Sequence, residues 1–84
     1  MIINLDCTIG HDAIIRDCST LYPSVNLSRI TDIGKCVELG TGSRIIQGIE
    51  IGNNTIVGAG STVIRNLPSN CTAVGSPAVP IKFT

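Results

Sequence analysis

Every sixth residue from Ile3 is aliphatic: Ile3, Ile9, Ile15, Leu21, Leu27, Ile33, Leu39, Ile45, Ile51, Val57 and Val63. Ile, Leu and Val fill 25 of the 84 positions, so an unbroken run of this length in any of six phases arises by chance on the order of once in a hundred thousand. A second register follows four residues behind each aliphatic and holds mostly small or β-branched residues: Cys7, Ala13, Ser19, Val25, Thr31, Val37, Ser43, Ile49, Thr55 and Ser61. A period of six suits no helix. It suits short extended segments joined by bends and stacked in parallel, each contributing one large and one small side chain to a narrow interior that a single repeat cannot bury alone. The abundance of β-branched residues favours the same reading, a parallel β-helix. Gly10, Gly34, Gly40, Gly52 and Gly58 each follow an aliphatic position directly, and are expected at tight turns that need positive φ.

The period continues without an inserted loop from Ile3 to about Leu67, where Leu67-Pro68-Ser69-Asn70 interrupts it, because proline removes a ladder donor and turns the chain. Residues 1–68 are therefore expected to form the β-helix. Residues 69–84 are expected to form an extended C-terminal tail outside the repeat, lying over one face or edge, since Pro77 and Pro80 leave it short of backbone donors. Eighty-four residues make one small domain, with a core thin enough that association with other subunits is expected to add stability.

Six basic and six acidic residues balance, so no net field points to nucleic acid or a membrane surface. One Phe, one Tyr and no Trp leave no platform for stacking bases. Neither a signal peptide nor a twenty-residue apolar span is present, which gives a cytoplasmic expectation. Of the four cysteines, Cys18 and Cys36 are 18 residues apart and stack on neighbouring coils if three hexads make a coil. Side chains running parallel in a ladder are poorly aimed for a disulfide, and free thiols are expected in the cytoplasm. No cysteine pair or cluster has the spacing of a zinc site.

Ile51-Gly52-Asn53-Asn54-Thr55-Ile56 followed by Val57-Gly58-Ala59-Gly60-Ser61-Thr62 resembles the hexapeptide-repeat acyltransferases. That resemblance implies a left-handed β-helix of triangular section with three hexads per coil, here somewhat under four coils, an exception to the right-handed crossover rule. Ile9-Gly10-His11-Asp12, Leu21-Tyr22-Pro23 and Val74-Gly75-Ser76-Pro77-Ala78 are similar to the sialic acid O-acetyltransferase and UDP-amino-sugar N-acetyltransferase branch. What the branch implies is a homotrimer moving acetyl from acetyl-CoA to a hydroxyl or amine of a sugar or sugar nucleotide, with no metal. Its members usually carry an N-terminal sugar-nucleotide domain, and the chain is expected to correspond to the C-terminal part of such a protein or to a truncated relative.

His11 is the one histidine, at an outward position of its hexad. Imidazole exchanges a proton near neutrality and suits the base that acyl transfer from a thioester needs, to accept a proton from the attacking amine or hydroxyl. The resemblance assigns that role to His11. Asp12 either orients the ring, as the acid does in the family, or serves as a turn carboxylate. The coenzyme contacts implied by the family fall on Thr20, Arg29, Gly40, Thr41 and Ala59, with Thr20 and Arg29 expected near His11 and Thr41 and Ala59 on a different side. Thr20 stands where the family often has a second histidine. Arg29 stands where it has glycine, and its guanidinium either pairs with a coenzyme phosphate or fills the groove. Lys82 is the nearest cation to the closing motif, as a phosphate contact or a solvated lysine.

The competing function is a non-catalytic, trimerising β-helix without its sugar-binding domain. A γ-class carbonic anhydrase shares the fold but needs several histidines on zinc, which one His excludes. An ice-binding solenoid needs a flat ladder of threonines, and the columns here mix Asn, Tyr, Arg and Gly.

Overall fold

The structure, a computed structural model, describes residues 2–83, and Met1 and Thr84, at the outer ends of the two expected segments, lie outside it. Eleven strands of two residues each follow the hexads: β1 (Ile2–Ile3), β2 (Thr8–Ile9), β3 (Ile14–Ile15), β4 (Thr20–Leu21), β5 (Asn26–Leu27), β6 (Asp32–Ile33), β7 (Glu38–Leu39), β8 (Arg44–Ile45), β9 (Glu50–Ile51), β10 (Ile56–Val57) and β11 (Thr62–Val63). β12 (Cys71–Val74) and β13 (Val79–Phe83) close the chain. Every third strand pairs in parallel, giving three sheets: β1-β4-β7-β10-β12-β13, β2-β5-β8-β11 and β3-β6-β9. We call them the A, B and C faces. The molecule is an all-β, left-handed parallel β-helix of about four turns.

Each strand has one residue outward and one inward, as the pleat requires. The aliphatics at every sixth position from Leu21 to Val63 are all at most 2% exposed, and Ser19, Thr31, Ser43, Thr55 and Ser61 share the interior with them. These hydroxyls are satisfied by backbone groups of their own or of neighbouring turns. Ser19 Oγ donates to Gly34 O at 2.8 Å and accepts from Val37 N at 3.1 Å, and Thr55 Oγ1 donates to Pro68 O at 2.7 Å. The first coil is less well covered: Ile3 and Ile9, inward by phase, are each 42% exposed, because no further coil lies over them among the described residues.

The glycines after the aliphatics have a different cause from the one expected. Positive φ falls two residues later, at Asp6, Asp12, Cys18, Ser24, Ile30, Cys36, Gly42, Gly48, Asn54 and Gly60. What excludes a side chain at the earlier position is the next coil. A Cβ on Gly34 would stand 2.8 Å from Gly52 C, and one on Gly40 would stand 2.6 Å from Ala59 N. By contrast, a Cβ on Gly42, at φ +73°, would meet nothing within 4 Å. Gly34→Ala should therefore lower stability by about 2–3 kcal/mol, because backbone atoms cannot step aside. Gly42→Ala should cost about 1–2 kcal/mol from left-handed backbone alone. Urea titration of the two variants ranks them, and an equal or reversed order would refute the close-approach explanation.

Two further expectations are corrected. The repeat shortens before the proline: Leu67 bridges to Ile51, 16 residues back instead of 18, so the corner after Val63 has lost two residues. This phase shift returns the following chain to the prism, and β12 pairs in parallel with β10 as a further rung of the A face (Ile56↔Thr72, Val57↔Ala73). Residues 71–74 are thus part of the stack and not a tail outside it. β13 then turns back antiparallel along the edge of β12. Second, Cys18 and Cys36 form a disulfide with a Cα–Cα distance of 4.4 Å, leaving Cys7 and Cys71 free. Both lie at the left-handed bend of a corner, not in a flat ladder. The coil spacing brings their α-carbons within range, and the open corner lets the side chains turn toward each other.

Candidate active site

The three corners of the prism separate the residues that the sequence singled out. His11 lies at the bend between β2 and β3, the B–C corner. Ile30 N donates to His11 O at 2.9 Å and Gly48 N to Arg29 O at 3.1 Å, so His11, Arg29 and Gln47 stack as a column, one per coil. His11 Nε2 is 3.5 Å from Asp12 Oδ2, with side chains 80% and 66% exposed. The φ of 62° at Asp12 turns the backbone sharply just after the histidine, so that the carboxylate folds back beside the ring. The contact sets a carboxylate beside the ring, with both side chains open to solvent.

Gly40, Thr41 and Ala59 lie at the next corner, between the A and B faces. Gly42 N donates to Pro23 O at 3.0 Å and Gly60 N to Thr41 O at 2.8 Å, which stacks Pro23, Thr41 and Ala59. At the third corner the equivalent amides are capped by side chains from the coil above: Lys35 N by Asn53 Oδ1 at 2.8 Å and Asn53 N by Ser69 Oγ at 2.9 Å. Thr41 and Ala59 are exposed, and their amides carry no such cap among the described residues. They form a short row of backbone donors facing out of the prism. The bare Cα of Gly40 keeps the coils close enough for that row, since a Cβ there would strike Ala59 N.

Thr20 does not join His11. It opens β4 on the A face, in register with Ile2 and Glu38, and the A face lies across the prism from the B–C corner. The expectation that Thr20 lies near His11 is corrected within one chain: Arg29 is the neighbour of His11, and Thr20 faces the other way. Beside Thr20 the structure adds a pair not singled out from the sequence. Tyr22 Oη donates to Glu38 Oε1 at 3.2 Å, both exposed. The 18-residue spacing already stacks Glu38 on Thr20, but nothing in the local pattern marks it as chemical.

At the far end of the B–C corner the shortened turn opens a cleft of about 210 Å³ between residues 64–67 and 77–80. Arg65 lines this cleft. Lys82 lies on β13, paired with Thr72. Among the described residues no group of three or more His, Cys, Asp or Glu side chains is placed to hold a metal ion, and no helix is long and apolar enough to cross a membrane.

Comparison with known proteins agrees with this geometry. Residues 31–65 match the family model described as bacterial transferase hexapeptide (six repeats). A serine acetyltransferase from Synechococcus elongatus is 38% identical over 77 residues, covering 82% of this chain and 32% of that protein. The chain spans about a third of the length of this and other serine acetyltransferases that it resembles in sequence. Among solved structures, a mutant of perosamine N-acetyltransferase from Caulobacter crescentus, in complex with CoA and GDP-perosamine, superposes with a TM-score of 0.93 at 34% identity, over 96% of this chain and 41% of that one. The acetyltransferase domain of PglB from Neisseria gonorrhoeae, in complex with acetyl coenzyme A, gives 0.91 at 31% identity, over 93% of this chain and 38% of that one.

Proposed function

We propose that this chain, which belongs to the hexapeptide-repeat acyltransferases, is the acyl-transfer unit of an acetyl-CoA-dependent acetyltransferase acting on a hydroxyl or amine of a sugar or sugar nucleotide. The observation that carries the reading is the separation of the two half-sites. His11 and Arg29 occupy one corner, while Gly40, Thr41 and Ala59 occupy the next and Thr20 the face across the prism. A single narrow prism cannot present both to one ligand. A threefold homotrimer can, because each groove takes one side from each of two neighbouring subunits. Such a groove also supplies the burial that His11 lacks on the isolated chain.

In that groove the amides of Thr41 and Ala59 hold the amide-bearing arm of the coenzyme, and His11 takes the proton from the acceptor as its lone pair attacks the thioester carbonyl. Asp12 orients the ring. A backbone N–H of the groove stabilises the oxyanion that forms. Arg29, one coil from His11, pairs with a coenzyme phosphate. The reading needs no metal and places the chain in the cytoplasm.

A second acceptor class has its own support: serine acetyltransferases at 37–39% identity favour a small amino-acid hydroxyl. Parallel assays with a nucleotide-linked amino sugar and with L-serine, following release of the coenzyme thiol, separate the two. Light scattering together with titration calorimetry tests the common core. The expected results are three copies per particle and saturable binding of CoA. Three copies per particle that bind no coenzyme would leave the non-catalytic, trimerising scaffold as the function, and a stable folded monomer would remove the shared groove.

A further inference from the structure

We propose that the Cys18–Cys36 disulfide is a redox-operated staple that turns the second coil into a covalent ring and holds that coil, on which the first rests, against the third. The two cysteines are 18 residues apart, one full coil, at the same corner of consecutive turns. The chain between them holds β4, β5 and β6 and nothing else. Closing the bond therefore joins the start of this coil to its end. Cys18 is exposed and Cys36 partly so, which leaves the pair open to small thiols and disulfides.

Why this position matters follows from how a solenoid comes apart. Each coil contacts only its neighbours, so opening proceeds one coil at a time from an uncovered end. Among the described residues Ile3 and Ile9 of the first coil are each 42% exposed, whereas no inward aliphatic from Leu21 to Val63 exceeds 6%. The first coil hangs on the second through Ile2 N to Ser19 O, Thr8 N to Val25 O and Ile14 N to Thr31 O, each 2.8–2.9 Å. If the second coil peels, the first loses every one of these acceptors. With Cys18 tied to Cys36, the second coil cannot be drawn off as a free strand, and the platform beneath the first persists.

Formation and opening balance by thiol–disulfide exchange with a small disulfide such as oxidised glutathione. One cysteine thiolate attacks a sulfur of that disulfide, forming a mixed disulfide and releasing one small thiolate. The second cysteine thiolate attacks the protein-bound sulfur of the mixed bond, closing Cys18–Cys36 and releasing the other. Two electrons pass from the protein thiols to the small disulfide, and the two protons end on the released thiols. In a cytoplasm poised by glutathione the pair is ordinarily open, and an oxidising shift closes it. The staple's bearing on catalysis rests on the reading above, because His11 rides on the first coil and Thr20 and Arg29 lie inside the ring.

Amide hydrogen exchange on the intact protein, oxidised with glutathione disulfide or reduced with dithiothreitol, tests this directly. In the oxidised form the Thr20, Asn26 and Asp32 amides, which bond to the third coil, should exchange on the order of a hundredfold more slowly, the effect of closing a loop of this size. Gly58 and other amides of the fourth coil should not change. Peptide mapping without reductant should recover the 18–36 link, and Cys18→Ser or Cys36→Ser should abolish the response to oxidant. Failure to form the link, or equal exchange in the two redox states, would overturn the proposal. If neither variant folds, comparison of oxidised and reduced wild type still decides it. Coenzyme binding measured on the same samples reports separately on the functional reading, so loss of one does not imply loss of the other.

Discussion

His11→Ala is expected to lower turnover by roughly two to four orders of magnitude, the usual worth of a positioned general base, while the threefold assembly proposed above and its coenzyme affinity stay intact. The asymmetry comes from placement. The side chain is 80% exposed on the single chain and contributes nothing to the aliphatic core. Its backbone carbonyl, which accepts from Ile30 N, is retained in alanine. The measurement is kcat under saturating coenzyme, alongside scattering and calorimetry on the same preparation. Asp12→Asn should give a smaller loss, since it removes the charge opposite imidazolium without removing the base. Activity within a factor of three of wild type for His11→Ala would remove the histidine from the mechanism.

The second large effect is expected from Ala59→Trp. Ala59 is exposed at the A–B corner, so an indole there should leave the fold undisturbed while covering the amide row that Thr41 begins. Coenzyme affinity should fall by on the order of a hundredfold, because a steric block in a ligand channel acts against binding alone. This variant is also half of a decisive experiment. Its subunits keep a good His11 corner, and His11→Ala subunits keep a good Ala59 corner. In randomly mixed trimers about a quarter of the grooves combine the two good corners, so two nearly inactive proteins should together recover about that share of wild-type activity. No recovery on mixing, with exchange of subunits verified, would place both half-sites on one subunit and end the shared-groove model.

The fold was written in the sequence because burial is a property each residue carries locally. An aliphatic every six residues, with a small residue four behind it, already states which side chains point inward and how many residues make a face. The structure keeps that register from Ile3 to Val63. The outward placement of His11, the chain's one histidine, was legible for a related reason: its phase within the hexad turns it away from the core. The parallel stacking of equivalent positions, on which the columns depend, follows from the same period.

Only the tertiary structure decided what depends on atoms brought together from 15–18 residues apart. Gly34 and Gly40 are glycine because of the coil above them, a contact that no local pattern displays. The two residues lost between Val63 and Leu67 look in sequence like an ending, but they re-phase the chain so that β12 adds another rung. Cys18 and Cys36 show only a spacing in sequence. Their 4.4 Å approach comes from the bend they share on consecutive coils. Thr20 and His11, nine residues apart in the chain, are carried half a turn away from each other, because each hexad rotates the chain to a new face. The repeat fixes what is buried. The winding of the prism fixes which exposed residues can meet, and within one chain it keeps His11 at the B–C corner apart from Thr20 on the A face.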